Sequence, residues 1–149
     1  MNALKLMTLS AMIVFSFGSF TLAEARTYKV ESFDNYTVRC TSIQSSELPN
    51  EVIDIYEVQE SSVDTAIISC VLQEEDADHI MPNIEGTFTG YMQNLIGHRT
   101  TLYFRPILEK NAVTYIATYE QTSASPVRFW MTVSIGDSKH KFEFQAPSK

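Results

Sequence analysis

Val127-Arg128-Phe129-Trp130-Met131-Thr132-Val133-Ser134-Ile135 is the stretch on which the fold turns. Its apolar side chains fall on every second residue, with Arg128, Trp130, Thr132 and Ser134 between them. A period of two sends alternate side chains to opposite faces of an extended chain, so the segment reads as a half-buried strand and not as a helix. Gly136-Asp137-Ser138 follows with the composition of a hairpin turn. Beyond it His140, Phe142 and Phe144 alternate with Lys139, Lys141, Glu143 and Gln145. The same rhythm lies upstream, where Val113, Tyr115, Ala117 and Tyr119 alternate with Ala112, Thr114, Ile116 and Thr118 after a turn at Glu109-Lys110-Asn111.

Working further back, strands are expected over residues 27–31, 35–42, 63–72, 84–93 and 100–108. Pro106 should mark an edge or a bulge, because it cannot donate to a ladder. One helical signal follows Leu48-Pro49: Asn50 is a reasonable N-cap, and Val52, Ile55 and Tyr56 share one face. Seven to eight short strands with one short helix predict a mostly β chain, an immunoglobulin-like antiparallel β-sandwich, with a small closed barrel as the competing topology.

The chain has 149 residues, 44% hydrophobic and 19% charged, with net charge -7. That length fits one domain and excludes an enzyme with separate cofactor and substrate lobes, and the apolar share excludes a disordered chain. No cofactor is called for. A pI near 4.9 argues against nucleic acid as a partner, since phosphate-backbone binding needs clustered Lys and Arg. Charge is uneven: residues 31–85 hold 13 acids and a single base, Arg39, whereas residues 86–149 hold 4 acids and 7 bases. Either the two halves interleave and cancel, or the acids gather on one face and favour a basic partner.

The first segment reads as a secretory signal. Lys5 precedes the apolar run Leu6 to Phe17, and Ala23-Glu24-Ala25 offers small residues where a peptidase cuts. Residues 1–25 are therefore expected to be a signal peptide and residues 26–149 a single β-sandwich domain, with no stable membrane anchor after cleavage. The expected compartment is the periplasm, with secretion as the alternative. In such an oxidising compartment Cys40 and Cys70, on neighbouring strands, are expected to form a disulfide.

Several pieces occur in an order that resembles a family of small bacterial periplasmic proteins grouped as a domain of unknown function. They are Phe33-Asp34-Asn35-Tyr36-Thr37-Val38, Leu48-Pro49-Asn50-Glu51-Val52, Ile84-Glu85-Gly86, Asn94-Leu95-Ile96-Gly97, Phe104-Arg105, Val113-Thr114-Tyr115-Ile116-Ala117 and Lys141-Phe142-Glu143-Phe144-Gln145. The resemblance implies a signal peptide and a compact, mostly β exported domain; it implies no reaction. The chain departs from the family pattern at Cys40, where an aromatic residue is usual, and at His98, where an amide is expected.

No Gly-x-Ser-x-Gly elbow is present, and the serines cluster in turns, so nothing assembles a nucleophile beside a base. His79 and Met81, with His98, His140, Met92 and Met131, form a set of soft and borderline ligands suited to copper or zinc; the competing account puts the methionines in the core. Glu74-Glu75-Asp76-Ala77-Asp78 lacks the glycine of a calcium loop, with Met81 in its place, and reads as a solvated connection. Asn35-Tyr36-Thr37 matches a glycosylation acceptor that matters only in a eukaryotic host.

Asn94, Gly97 and His98 form the segment best placed for a binding site, a loop on a rigid scaffold. Arg105, between Phe104 and Pro106, could offer a fixed guanidinium to a carboxylate, with ordinary surface pairing as the bland account. The leading functional expectation is a non-enzymatic binding or accessory module of the cell envelope, with an envelope protein or small ligand as partner. A periplasmic copper or zinc handling module and a small cofactor-independent enzyme are the alternatives. For stability, alternation sends Phe129 inward and Trp130 to the polar face. Phe129→Ala should therefore cost about 3–5 kcal/mol in urea unfolding and Trp130→Ala clearly less; equal losses would show both sides of the strand to be buried.

Overall fold

The computed structural model describes residues 26–58, 65–76, 83–109, 112–121 and 126–146, so the expected signal segment 1–25 lies outside the described residues. The strands are β1 (Arg26–Phe33), β2 (Tyr36–Gln44), β3 (Thr65–Glu74), β4 (Thr87–Gln93), β5 (Arg99–Leu102), β6 (Arg105–Glu109), β7 (Ala112–Glu120), β8 (Val127–Ile135) and β9 (Ser138–Ala146). One short helix, α1 (Asn50–Ile55), stands between β2 and β3. The strands form two antiparallel sheets, sheet A in the order β1-β2-β3-β7-β6 and sheet B in the order β5-β4-β8-β9. This is the mostly β sandwich that the alternation predicts. Among the described residues no ladder joins the two sheets into a barrel.

The core lies between the sheets and is built from the inward parity of each strand. Sheet B contributes Phe129, Met131 and Val133 from β8, with Phe142 and Phe144 from β9; sheet A answers with Val38, Ile68, Leu72 and Tyr115. Phe129 is fully buried and stacks on Phe144 with ring centroids 4.8 Å apart, while Tyr119 meets its edge at 5.2 Å. Stacked and edge-to-face rings at these separations add to what area burial alone supplies.

Three expectations need correction. The segment 100–108 is two strands, because the chain leaves sheet B after Leu102 and enters sheet A at Arg105. The continuous apolar run Leu102-Tyr103-Phe104 bridges the two strands, so no polar break marks the crossing; Pro106 is accommodated because β6 is the edge of sheet A. Asn50 is the first helical residue and not the cap; Pro49 holds the cap position without a side-chain hydrogen bond. The helix packs through Ile53 and Tyr56, and Ile55 is 52% exposed. The turn expected at Glu109-Lys110-Asn111 is described only at Glu109, where β6 ends.

The helix segment covers the outer face of sheet A. Ile53, Tyr56 and Val58 pack on Ile67 and Ile116, which are fully buried although they point away from the main core. That is why Ala66-Ile67-Ile68 is a continuous apolar run: β3 is buried on both faces.

Cys40 and Cys70 sit directly opposite one another in the β2–β3 register and form a disulfide across the two strands, facing the core. It closes a loop of sequence separation 30. Chain entropy alone assigns such a link about 3.6 kcal/mol. Reduction, or the double change Cys40→Ala with Cys70→Ala, should lower unfolding free energy by about 2–4 kcal/mol in urea titration; no loss would show the bond to be energetically idle.

At one side of the sandwich the edge strands β1 and β9 meet. His140 Nε2 lies 3.0 Å from Glu31 Oε1, its ring stacks on Phe33 at 4.2 Å, and Lys29 Nζ lies 2.8 Å from Glu31 Oε2. The Lys29 hydrogen bond first, and the His140 hydrogen bond next, hold the Glu31 carboxyl below its ordinary range. A carboxylate depressed on folding stabilises the protein above its unfolded pKa, and this contribution is lost as pH falls through the folded value. Glu31→Gln should cost about 0.5–1 kcal/mol at pH 7, the scale of a partly exposed pair. The difference from the parent should vanish in thermal melts taken in strong acid, and persistence there would contradict the assignment.

Candidate functional site

The outer face of sheet B is built from the polar parity of the same strands. In register, Tyr91 of β4 stands opposite Trp130 of β8 and Thr101 of β5, and Trp130 stands opposite Glu143 of β9. Tyr91 and Trp130 stack with ring centroids 5.1 Å apart. The Arg99 guanidinium lies 4.8 Å from the Tyr91 ring centroid, and that of Arg128 lies 5.7 Å from Trp130. The four side chains form a strip in which each aromatic face is engaged by a cation or by its neighbour, which fixes long arginine side chains that would otherwise be mobile.

Two hollows flank Trp130. One of about 620 Å³ lies over β4, β8 and β9 and is lined by Thr89, Tyr91, Thr101, Trp130, Thr132 and Lys141, among others. The second, about 200 Å³, runs toward the β4–β5 turn between Asn94, Leu95, Arg128 and Gln145. Gly90 helps to seat this surface: a Cβ there would come within 2.5 Å of the Trp130 carbonyl oxygen and 2.8 Å of Met131 Sδ. A side chain at that position would push β4 off β8 and break the Tyr91–Trp130 contact.

Charge differs between the strands of sheet B and the segment that covers sheet A. Sheet B strands carry Arg99, Arg128, Lys139 and Lys141 against one acid, Glu143, and all five are exposed on the outer face. The segment covering sheet A carries Glu47, Glu51, Asp54 and Glu57, exposed, and no base. The segment over sheet A is thus acidic, and the outer face of sheet B is basic and aromatic.

The residues singled out by sequence are placed as follows. Asn94 organises the β4–β5 turn: its carbonyl accepts the Gly97 N–H at 3.0 Å, and its Oδ1 accepts the His98 N–H at 2.9 Å. Gly97 takes φ +89, a left-handed conformation that favours glycine. The turn exposes Leu95 and Ile96, at 69% and 77%, together with His98. Arg105 is not brought to this turn, because β5 separates them, and its Nη1 lies 3.9 Å from Glu57 Oε2. Met92 and Met131 are buried in the core, His140 is held by Glu31 and Phe33, and His98 stands on the turn. His79 and Met81 lie outside the described residues, and among those described no group of three or more His, Cys, Asp or Glu could hold a metal.

Tyr91, Arg99 and Arg128 were not singled out by sequence. The available signal was Trp130 on the polar parity of β8 beside Arg128; its partners on β4 and β5 follow only from register. Among the described residues no helix is long and apolar enough to cross a membrane.

Solved structures share this fold. A protein of Pseudomonas aeruginosa described as a DUF4426 family protein superposes with TM-score 0.67 at 22% identity, covering 83% of this chain and 98% of its own. Copper-bound FetP, a variant from uropathogenic Escherichia coli, superposes with TM-score 0.59 at 6% identity, covering 82% of this chain and 95% of its own. FetP as isolated gives TM-score 0.57 at 7% identity over 83% and 95%. No curated protein matches the sequence. The model of the domain of unknown function DUF4426 matches residues 30–147, and the chain belongs to that family.

Proposed function

We propose that this protein is a non-enzymatic binding or accessory module of the bacterial cell envelope, exported to the periplasm, that holds an envelope protein or small ligand on the outer face of sheet B. The observation that carries this reading is the Arg99–Tyr91–Trp130–Arg128 strip beside an open hollow of about 620 Å³. Aromatic rings and arginines are the side chains that dominate recognition surfaces, and here they are already ordered against one another before any partner arrives. The opposite sheet has its outer face covered around Ile67 and Ile116 by the α1 segment, whereas the strip on sheet B has no such cover among the described residues. Export is supported by the Cys40–Cys70 disulfide and by the signal-like segment at residues 1–25.

Metal handling is the second reading, favoured by the fold shared with copper-bound FetP. It ranks lower because Met92 and Met131 are core residues and His98 and His140 stand apart in different surroundings. The enzyme reading ranks last, since His140 has a carboxylate and an aromatic face as its described neighbours, not a nucleophile.

A photoreactive benzophenone side chain at Thr132, in the full chain exported by living cells, should give irradiation-dependent mass additions. The same group at Glu51 on the helix side should give none. Adducts only from Glu51, or from neither position, would overturn the proposal.

A further inference from the structure

We infer that the outer face of sheet B binds an acidic oligosaccharide, a chain of sugar rings carrying carboxylates. This rests on the binding-module reading and names its ligand. Backbone groups of β4 and β8 are committed to ladders on both sides, so nothing that lies on this face can recruit them. Peptides recognised by β-addition need a free strand edge, and a ligand on a sheet face must be read by side chains alone. The side chains present are two stacked aromatic rings, the hydroxyls of Thr89, Thr101 and Thr132, the charged pair of residues Lys141 and Glu143 in the larger hollow, and Arg128 in the smaller one. That set matches a polyhydroxylated ring: its C–H groups meet the ring edges of Tyr91 and Trp130, whose faces are taken by each other and by the arginines, and its hydroxyls meet the threonines.

Charge selects the acidic members of the class. Arg99 and Arg128 flank the rings on one side and Lys141 lines the larger hollow. Glu143, opposite Trp130 on β9, repels carboxylates from that flank and directs them to the arginines. A planar guanidinium pairs a carboxylate with two parallel hydrogen bonds, and stacking on an aromatic ring holds it ready to do so. With a hollow on each side of Trp130, the surface accommodates more than one sugar unit. Self-association through this face is opposed, because two copies would bring bases against bases.

Trp130 is the only tryptophan in the chain, so its fluorescence reports the face directly. The folded protein would be titrated with tetragalacturonate and with a hyaluronan tetrasaccharide, then with methyl-esterified tetragalacturonate and with hexaglutamate. The inference predicts a saturable change in Trp130 emission with at least one acidic saccharide. It also predicts at least about tenfold weaker binding for the methyl ester and for Arg99→Ala or Arg128→Ala, the loss expected when a charge-assisted hydrogen bond is removed. Both arginines are exposed, and an unchanged amide spectrum of each variant shows that the fold is kept. Equal binding of the acid and its ester overturns the role of charge. Binding of hexaglutamate alone overturns the sugar assignment while the face remains a binding face. Response to neither saccharide overturns the inference, and the Thr132 crosslink decides separately whether the broader reading survives.

Discussion

The stack of Phe129 on Phe144, with ring centroids 4.8 Å apart between β8 and β9, is the contact on which the molecule depends. Its members belong to the inward parity of two paired strands, and a slip of one residue would turn every inward ring outward. The cost of exposing Phe129, Met131, Phe142 and Phe144 together holds the register. Once it is held, the other parity has no freedom. Trp130 must face out, Arg128 must lie beside it, and the β4 pairing must bring Tyr91 opposite. The candidate site is thus the reverse side of the hydrophobic core.

The two sheets use their outer faces differently. Sheet A buries Ile67 and Ile116 under the α1 segment and so gains a second small core on its far side. The acids of that segment, Glu47, Glu51, Asp54 and Glu57, face solvent there, while the bases of β5, β8 and β9 face solvent across the sandwich. A chain of net charge -7 thereby presents a basic surface to one side. Such a field orients the molecule toward an anionic ligand during encounter, and its influence weakens with ionic strength.

Much of this was legible in the residues. The alternation in β7, β8 and β9, the turn at Gly136-Asp137 and the outward placement of Trp130 follow from local pattern, and the pairing of Cys40 with Cys70 follows from there being two cysteines in a chain with a signal-like segment. The break at Tyr103-Phe104 was not legible, because the chain changes sheets inside the continuous apolar run Leu102-Tyr103-Phe104, with no turn residue to mark it. Ile55 misled for a related reason: in a helix of a turn and a half, spacing alone does not say which flank meets the sheet. The aromatic strip was the largest omission. Tyr91, Arg99, Arg128 and Trp130 come from three strands, and only long-range register makes them neighbours.

Cross-strand proton–proton contacts measured by NMR on the folded protein test the central claim most directly. The account predicts contacts between the Tyr91 and Trp130 rings, upfield-shifted Arg99 and Arg128 side-chain protons, and a separate set linking Phe129 to Phe144. Contacts from the Trp130 indole to Phe142 or Phe144 would place it in the interior and contradict both the register and the surface built on it.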